Sequence, residues 1–295
     1  MKVYVTGAGG FVGSHVAREL RERGHAVVDD RVDLLDPEWL EKIMEGCDAV
    51  VHVAALYSYD ATAEEHYLAN VVGTRNVLNA AQVMGVERVV HTSTSGTCGP
   101  VPDRPATEED SPPDWELRVP YKRTKLEAER LALAHGAVVV NPTTPVGDGD
   151  RKPTPTGRMI AGVATGRIRG YVGTTGLNVV DVRDVARGHV LALERGEPGE
   201  RYILGGVDLP LRDLFAAVAD EAGTSRPRLR VPYRVAVAAG QARIVNRDEV
   251  RLARLPMYFS STKAEERLGY RAGPVGPAIA RAVGEALKAD GKGGA

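Results

Sequence analysis

Apolar residues in this chain fall into short continuous runs, separated by longer stretches in which they recur every three or four positions. The runs from Val3 to Thr6, Ala26 to Val28, Ala49 to Val53, Arg88 to Thr92 and Ala137 to Val140 have the length and β-branched content of strands. Between them, Val12 to Arg23, Trp39 to Glu45, Glu64 to Met84 and Tyr121 to Ala134 have helical spacing or composition. A strand that is apolar throughout is buried on both faces, so this alternation predicts a parallel sheet covered by helices on each side. Right-handed crossovers then make it an α/β, Rossmann-type doubly wound sheet.

After Asn141 the texture changes. The run NPTTPVGDGDRKPTPTG is too polar for a core strand and predicts a crossing into a smaller C-terminal lobe. Asn178 to Val182 is expected to return to the sheet edge, before a helix that starts near Asp184. The tail KADGKGGA is expected to fray.

Composition narrows the function. With 295 residues, a formal charge of −1 and 26% charged residues, the chain lacks the electrostatic footprint of a nucleic-acid or anionic-membrane binder. No run of about 18 apolar residues offers a membrane span. The start, MKVYVTG, enters a strand directly and has no leader pattern. Two cysteines, Cys47 and Cys98, suit a reducing compartment, and the expectation is a cytoplasmic protein.

The chemistry begins at TGAGGFVG, where Gly7, Gly10 and Gly13 stand between the first strand and the first helix. Gly7 allows a tight turn, Gly10 lets the backbone approach a pyrophosphate, and Gly13 lets helix and strand pack closely. A dinucleotide site also needs an acid at the end of the second strand, and AVVDD supplies Asp29 and Asp30. A carboxylate there bonds the ribose hydroxyls and repels a 2′-phosphate, which favours NAD. Arg31, next in line, is what NADP would want. Asp33 and Leu34 follow, where an Asp could reach the adenine amino group; the alternative for this stretch is a helix cap, a job for which Asp36 is better placed. Further on, VPYKRTKLEAE puts Tyr121 and Lys125 one helical turn apart on a single face. Alone, such a pair reads equally well as solvated surface.

Together with VVHVAA, ANVVGTRNVLNAA, VERVVHTSTSGTCG, NPTTPVG and VVDVRDVARGHVLALE, these motifs make the chain resemble the extended short-chain dehydrogenase/reductases, in their NAD(P)-dependent epimerase/dehydratase branch. Within it, NPTTPVGDGDRKPTPTGRMI and GERYILGG are most similar to the hopanoid-associated sugar epimerase group, related to dihydroflavonol-4-reductase-like proteins. The connection between strands two and three is shorter than the family pattern.

The resemblance implies an NAD(P)-binding domain of residues 1–145 with about 178–204, a substrate lobe of 146–177 and 205–295, and a homodimer. It makes Tyr121 the catalytic acid/base and Lys125 its partner, the ammonium stabilising phenolate and holding nicotinamide ribose hydroxyls. Thr94, two before Gly96, becomes the hydroxyl that bonds the substrate oxygen, with Ser93 and Ser95 as neighbours that could replace it. Phe11, Val12, Ala54, Ala55, Asn70, Thr92, Pro142 and Thr143 join the cofactor contacts, and Ser95 and Asn141 the substrate contacts. His52, His91 and His189 lack metal-ligand spacing and read as structural, so no metal is expected.

Family dehydratases and decarboxylases carry acids just after the catalytic threonine, where this chain has Ser95 and Gly96. Two reactions remain. A nucleotide-sugar epimerase, which removes and returns a hydride on tightly held NAD, ranks first; the alternative is a ketoreductase of dihydroflavonol-reductase type. A non-catalytic, NAD-sensing protein of the same fold ranks third. Arg158, Arg183 and Arg251 are the cations that could pair a sugar diphosphate.

Overall fold

The computed structural model describes residues 1–242 and 246–291. Its main sheet is built in chain order from β1 (Lys2–Thr6), β2 (Ala26–Val28), β3 (Ala49–His52), β4 (Arg88–Thr92) and β5 (Val138–Pro142). Two shorter strands follow, β6 (Thr144–Val146) and β7 (Gly170–Val172), then β8 (Gly176–Asp181), β9 (Arg201–Leu204), β10 (Val207–Pro210) and β11 (Leu229–Val231). The six-stranded sheet has the order β2-β1-β3-β4-β5-β9 and every pairing in it is parallel. The strand order reverses beside β1, so its C-terminal end opens the crevice in which doubly wound sheets take their ligands.

Helices cover both faces. They are α1 (Phe11–Glu22), α2 (Pro37–Met44), α3 (Ala63–His66), α4 (Gly73–Val83), α5 (Pro120–Ala134) and α7 (Val182–Arg195), while α6 (Pro155–Ala164) packs in a separate core beyond the sheet. One core joins Val3, Val5, Val90 and Val140 to Val16 and Leu20 of α1 and Val185 and Val190 of α7. On the opposite face, Tyr4 and Val50 pack against Leu40 and Met44 of α2 and Val77 of α4. Fully burying such a side chain contributes roughly 1.5–3 kcal/mol, which is why the all-apolar runs become central strands.

The structure corrects the sequence reading in three places. Between Glu64 and Met84 the helix is broken into α3, a π-helical segment Tyr67–Val72, and α4. The wide turn places Asn70, whose side chain accepts from the Leu56 N–H at 2.7 Å and donates to the Leu56 carbonyl at 3.2 Å. Such bulges persist when a tertiary contact offsets the lost helical bonds.

Asn141 and Pro142 do form strand, contrary to the expectation of a polar crossing, and β6 follows after one residue. The polar side chain is tolerated because the Asn141 amide is hydrogen-bonded inside the protein.

The strand near Asn178 does not return to the main sheet. As β8 it lies at the centre of a second sheet of order β10-β8-β6, and β9 takes the edge instead. Asn178 anchors it there, donating to Asp208 at 2.6 Å and to the Phe259 carbonyl at 3.1 Å and accepting from the Gly206 N–H at 2.8 Å. Its alternate residues face two ways: Val179 enters a core with Ile160, Val163, Leu214 and Ile279, while Val180 joins the main core. Asp181 then caps α7, accepting from the Arg183 N–H at 2.9 Å, three residues before the expected helix start. In the tail, Lys288 and Ala289 still belong to the closing helix Gly276–Ala289, and residues 292–295 lie outside the described set.

Candidate active site

The glycine loop is shaped by packing at two of its three glycines. Gly7 has φ 70°, and a side chain on it would press on the Ala54 backbone at 2.7 Å. A side chain on Gly13 would collide with the Gly7 carbonyl, so this residue sets how closely α1 meets β1. Gly10 is different: only the Gly7 carbonyl, at 3.1 Å, lies near the place a side chain would take. It is the N-cap of α1 and brings no side-chain hydrogen bond to it, so the first N–H groups of the helix face the loop. Open space before an uncapped helix N-terminus fits a pyrophosphate.

At the end of β2, Asp29 is held by Arg21 at 2.7 Å, an exposed pair. Asp30 and Arg31 are exposed, and neither makes a hydrogen bond or ion pair among the described residues. Asp33 accepts from the Leu35 N–H at 3.0 Å, while Asp36 caps α2. Leu34 packs within 3.1 Å of where a Gly73 side chain would begin.

Pro120 at the first turn launches α5, and Tyr121 and Lys125 share the face turned to the ends of β4 and β5. Lys125 is 2% exposed, and its Nζ donates to the Thr92 carbonyl at 2.7 Å. Burial lowers this ammonium to about 8, and the Glu129 carboxylate one turn on opposes the fall. Thr94 begins the 3₁₀ turn Ser95–Thr97, its Oγ1 accepting from the Gly96 N–H at 3.3 Å. The Thr94 hydroxyl lies close enough to the Tyr121 phenol to favour its ionised form. Burial pushes that phenol up from its ordinary value, Tyr57 adds to the rise, and the Thr94 hydroxyl pulls it back. Lys125 is therefore bonded to the strand rather than to the phenol.

Sequence reasoning missed three neighbours. Tyr57 lies over Tyr121 with ring centroids 4.6 Å apart and stands edge-on to Tyr59 at 5.7 Å, the two hydroxyls 3.5 Å apart. Lys122 turns away from Tyr121 into the protein, pairs with the wholly buried Glu116 at 3.1 Å, and fills the space a Gly96 side chain would need. Glu129 is buried against the Thr94 turn, and the spacing Tyr121, Lys125, Glu129 was a signal available in the sequence.

Other expected contacts are redistributed. Asn141 is wholly buried, and its amide donates to the Thr94 carbonyl, Thr97 and Glu129, which removes it from substrate contact. The Thr143 N–H is occupied by the Leu204 carbonyl at 3.2 Å, and Pro142 has none, so the backbone of this pair has only carbonyl oxygens to offer a carboxamide. Ser95 and Thr92 are buried. Phe11 and Val12 form the first turn of α1, and Ala54 and Ala55 follow β3 beside Gly7. Arg158, Arg183 and Arg251 each face a carboxylate, Glu249 at 3.8 Å, Asp148 at 3.2 Å and Asp248 at 3.0 Å.

The buried histidines hold the strands in place. Thr6 Oγ1 accepts from the Val53 and Ala54 N–H groups, so its hydrogen goes to His52 Nδ1 at 2.7 Å. His52 Nε2 then donates to Thr74 at 3.0 Å, and Thr74 to the Asn70 carbonyl at 2.7 Å. His189 donates from Nδ1 to the Val185 carbonyl and receives the Thr92 hydroxyl at Nε2. No group of metal-ligating side chains exists among the described residues.

The chain belongs to the NAD dependent epimerase/dehydratase family, whose model matches residues 3–205. It is similar to a putative dihydroflavonol 4-reductase of Synechocystis sp., 36% identical over 95% of this chain and 93% of the relative. A 2-alkyl-3-oxoalkanoate reductase of Stenotrophomonas maltophilia is 31% identical over 81% of each chain. Among solved structures, a nucleoside-diphosphate-sugar epimerase of Pseudomonas aeruginosa is 25% identical, with a TM-score of 0.83 over 99% of both chains.

Proposed function

We propose that this protein is an NAD(P)-dependent oxidoreductase that interconverts a ketone and a secondary alcohol on a small, largely apolar or aromatic substrate. The observation that carries the reading is the wall over the reacting phenol. Tyr57 covers Tyr121 and Tyr59 flanks it, while Arg158, Arg183 and Arg251 are each paired with a carboxylate. Aromatic faces suit a planar or apolar substrate. A diphosphate needs cations free to meet it. The reductases among the relatives support the same choice over the epimerase that ranks first on sequence alone.

The glycine loop and the α1 N-terminus hold the dinucleotide, with Asp30 as the free carboxylate for the adenosine ribose. When bound, the nicotinamide supplies or accepts the hydride. Tyr121 gives the substrate oxygen its proton in reduction and removes it in oxidation, and Thr94 hydrogen-bonds the same oxygen. Lys125 places a positive charge on the same face of α5, which favours phenolate when oxidation requires it.

Cofactor stoichiometry tests the proposal. Purified protein given NADH or NADPH and a panel of aromatic and aliphatic ketones is expected to oxidise one cofactor per alcohol formed. Sustained conversion of a nucleotide sugar with substoichiometric, unregenerated cofactor would instead establish the epimerase.

A further inference from the structure

We infer that Glu129 is a positioning residue, which sets the Thr94 turn against Tyr121 through Thr97 and Asn141. The inference rests on the proposed roles of Thr94 and Tyr121 and extends them to a group that touches neither substrate nor cofactor.

Glu129 is 1% exposed, and the side chains of Thr97, Asn141 and Arg201 converge on it. Its Oε2 lies 2.6 Å from Thr97 Oγ1 and 2.7 Å from Asn141 Nδ2, and its Oε1 receives Arg201 of β9 at 2.6 Å. Arg201 is tied further to the carbonyls of Glu108 and Asp110. A guanidinium at that distance fixes the orientation of the carboxylate.

Hydrogen counting shows what the carboxylate decides. Thr97 Oγ1 has one hydrogen and two acceptors, the Thr94 carbonyl at 2.7 Å and Glu129 at 2.6 Å. An ionised carboxylate is the stronger acceptor and takes it. The Thr94 carbonyl is then held by Asn141 Nδ2 at 3.1 Å, whose other hydrogen is shared between Glu129 and Thr97 Oγ1. The carboxylate thereby orders both groups that grip the Thr94 carbonyl, in the turn whose hydroxyl lies near the Tyr121 phenol. It also lies one turn beyond Lys125, so one buried charge borders two members of the reacting set.

A double-mutant cycle between Thr97 and Thr94 tests this. Thr97→Val keeps the shape and removes the hydroxyl; it is expected to lower kcat on the order of 10-fold to 100-fold with little change in KM or cofactor affinity. Thr97→Ser restores the hydroxyl and is expected to recover most of the loss. In a Thr94→Val background, Thr97→Val should cost little more, because the group it positions has gone. Glu129→Gln should show the same dependence on Thr94 if it folds with Arg201 unpaired, and the Thr97 pair decides the matter if it does not. Additive losses in the two backgrounds overturn the positioning role and leave a merely structural network. A Thr94→Val enzyme as fast as the parent overturns the catalytic reading of Thr94 itself, and the positioning proposal with it.

Discussion

The rings of Tyr57 and Tyr121 lie 4.6 Å apart and 34° from parallel, although the two residues belong to different elements 64 positions apart. One is the loop after β3, the other the first turn of α5. Under the proposed function, the ring that covers the Tyr121 phenol is therefore part of the substrate's approach.

Replacing Tyr57 by Ala is expected to change preference more than chemistry. Aromatic pairs contribute about 0.5–1.5 kcal/mol beyond their area, so kcat/KM for planar aromatic ketones should fall by roughly 2-fold to 10-fold relative to small aliphatic ketones. Equal losses for both substrate types would show that Tyr57 only supports Tyr121.

Lys125 carries a stability signature. Its ammonium is lowered from 10.5 to about 8 by burial, so between those values the unfolded chain binds more protons and stability rises with pH. The cost of holding the buried charge is complete below about 8 and amounts to on the order of 3 kcal/mol. Across pH 8 to 10.5, the stability of the parent should therefore rise relative to Lys125→Met. Parallel unfolding curves for the two proteins over that window would show that the lysine is not desolvated.

Three neutral histidines make the fold sensitive to acid. Burial lowers His52 to about 3, His189 to about 4, and His91 well below its ordinary value. Each takes up its proton on unfolding below 6.5, so stability is lost as pH falls from that point. As pH nears 5, His52 and His189 should together give a slope of about two protons, roughly 3 kcal/mol per pH unit, with His91 adding to it. Chemical denaturation at closely spaced pH values reads this slope directly, and a flat profile between about 5 and 6.5 would contradict the buried, neutral assignment.

Cofactor choice should depend on Asp30 more than on Asp29. Arg21 already neutralises Asp29 at 2.7 Å, whereas Asp30 has no ion pair among the described residues. Asp30→Ala is expected to weaken NADH roughly tenfold and NADPH little, and Asp29→Ala to do less to either. Tighter binding of NADPH than NADH by the parent would assign the preference to Arg31.

The glycine loop, the acids after β2 and the Tyr121/Lys125 pair were legible in the sequence because each is a local pattern. A strand-loop-helix with three spaced glycines, or two side chains one turn apart, involves only a few residues whose geometry follows from their own element. The all-apolar runs likewise announced a buried parallel sheet, since a strand that is apolar on both faces needs cover on both. Val50 and Val51 of β3 illustrate this, entering cores on opposite sides of the sheet.

What the tertiary structure alone decided depends on which distant segments meet. Asn141 reads as a polar residue near a substrate until β5 pairs with β9 and packs under α5, which bring Arg201 and Glu129 to its side. The strand around Asn178 has the composition of a sheet edge, yet its bonds to Asp208 and Phe259 draw it into the smaller sheet. Tyr57 has no local pattern at all, and its place over Tyr121 follows from the π-helical turn that lets Asn70 grip Leu56 next door. Periodicity states which face of an element is buried. Only long-range register states what it is buried against, and the partners of a catalytic group are set by that second fact.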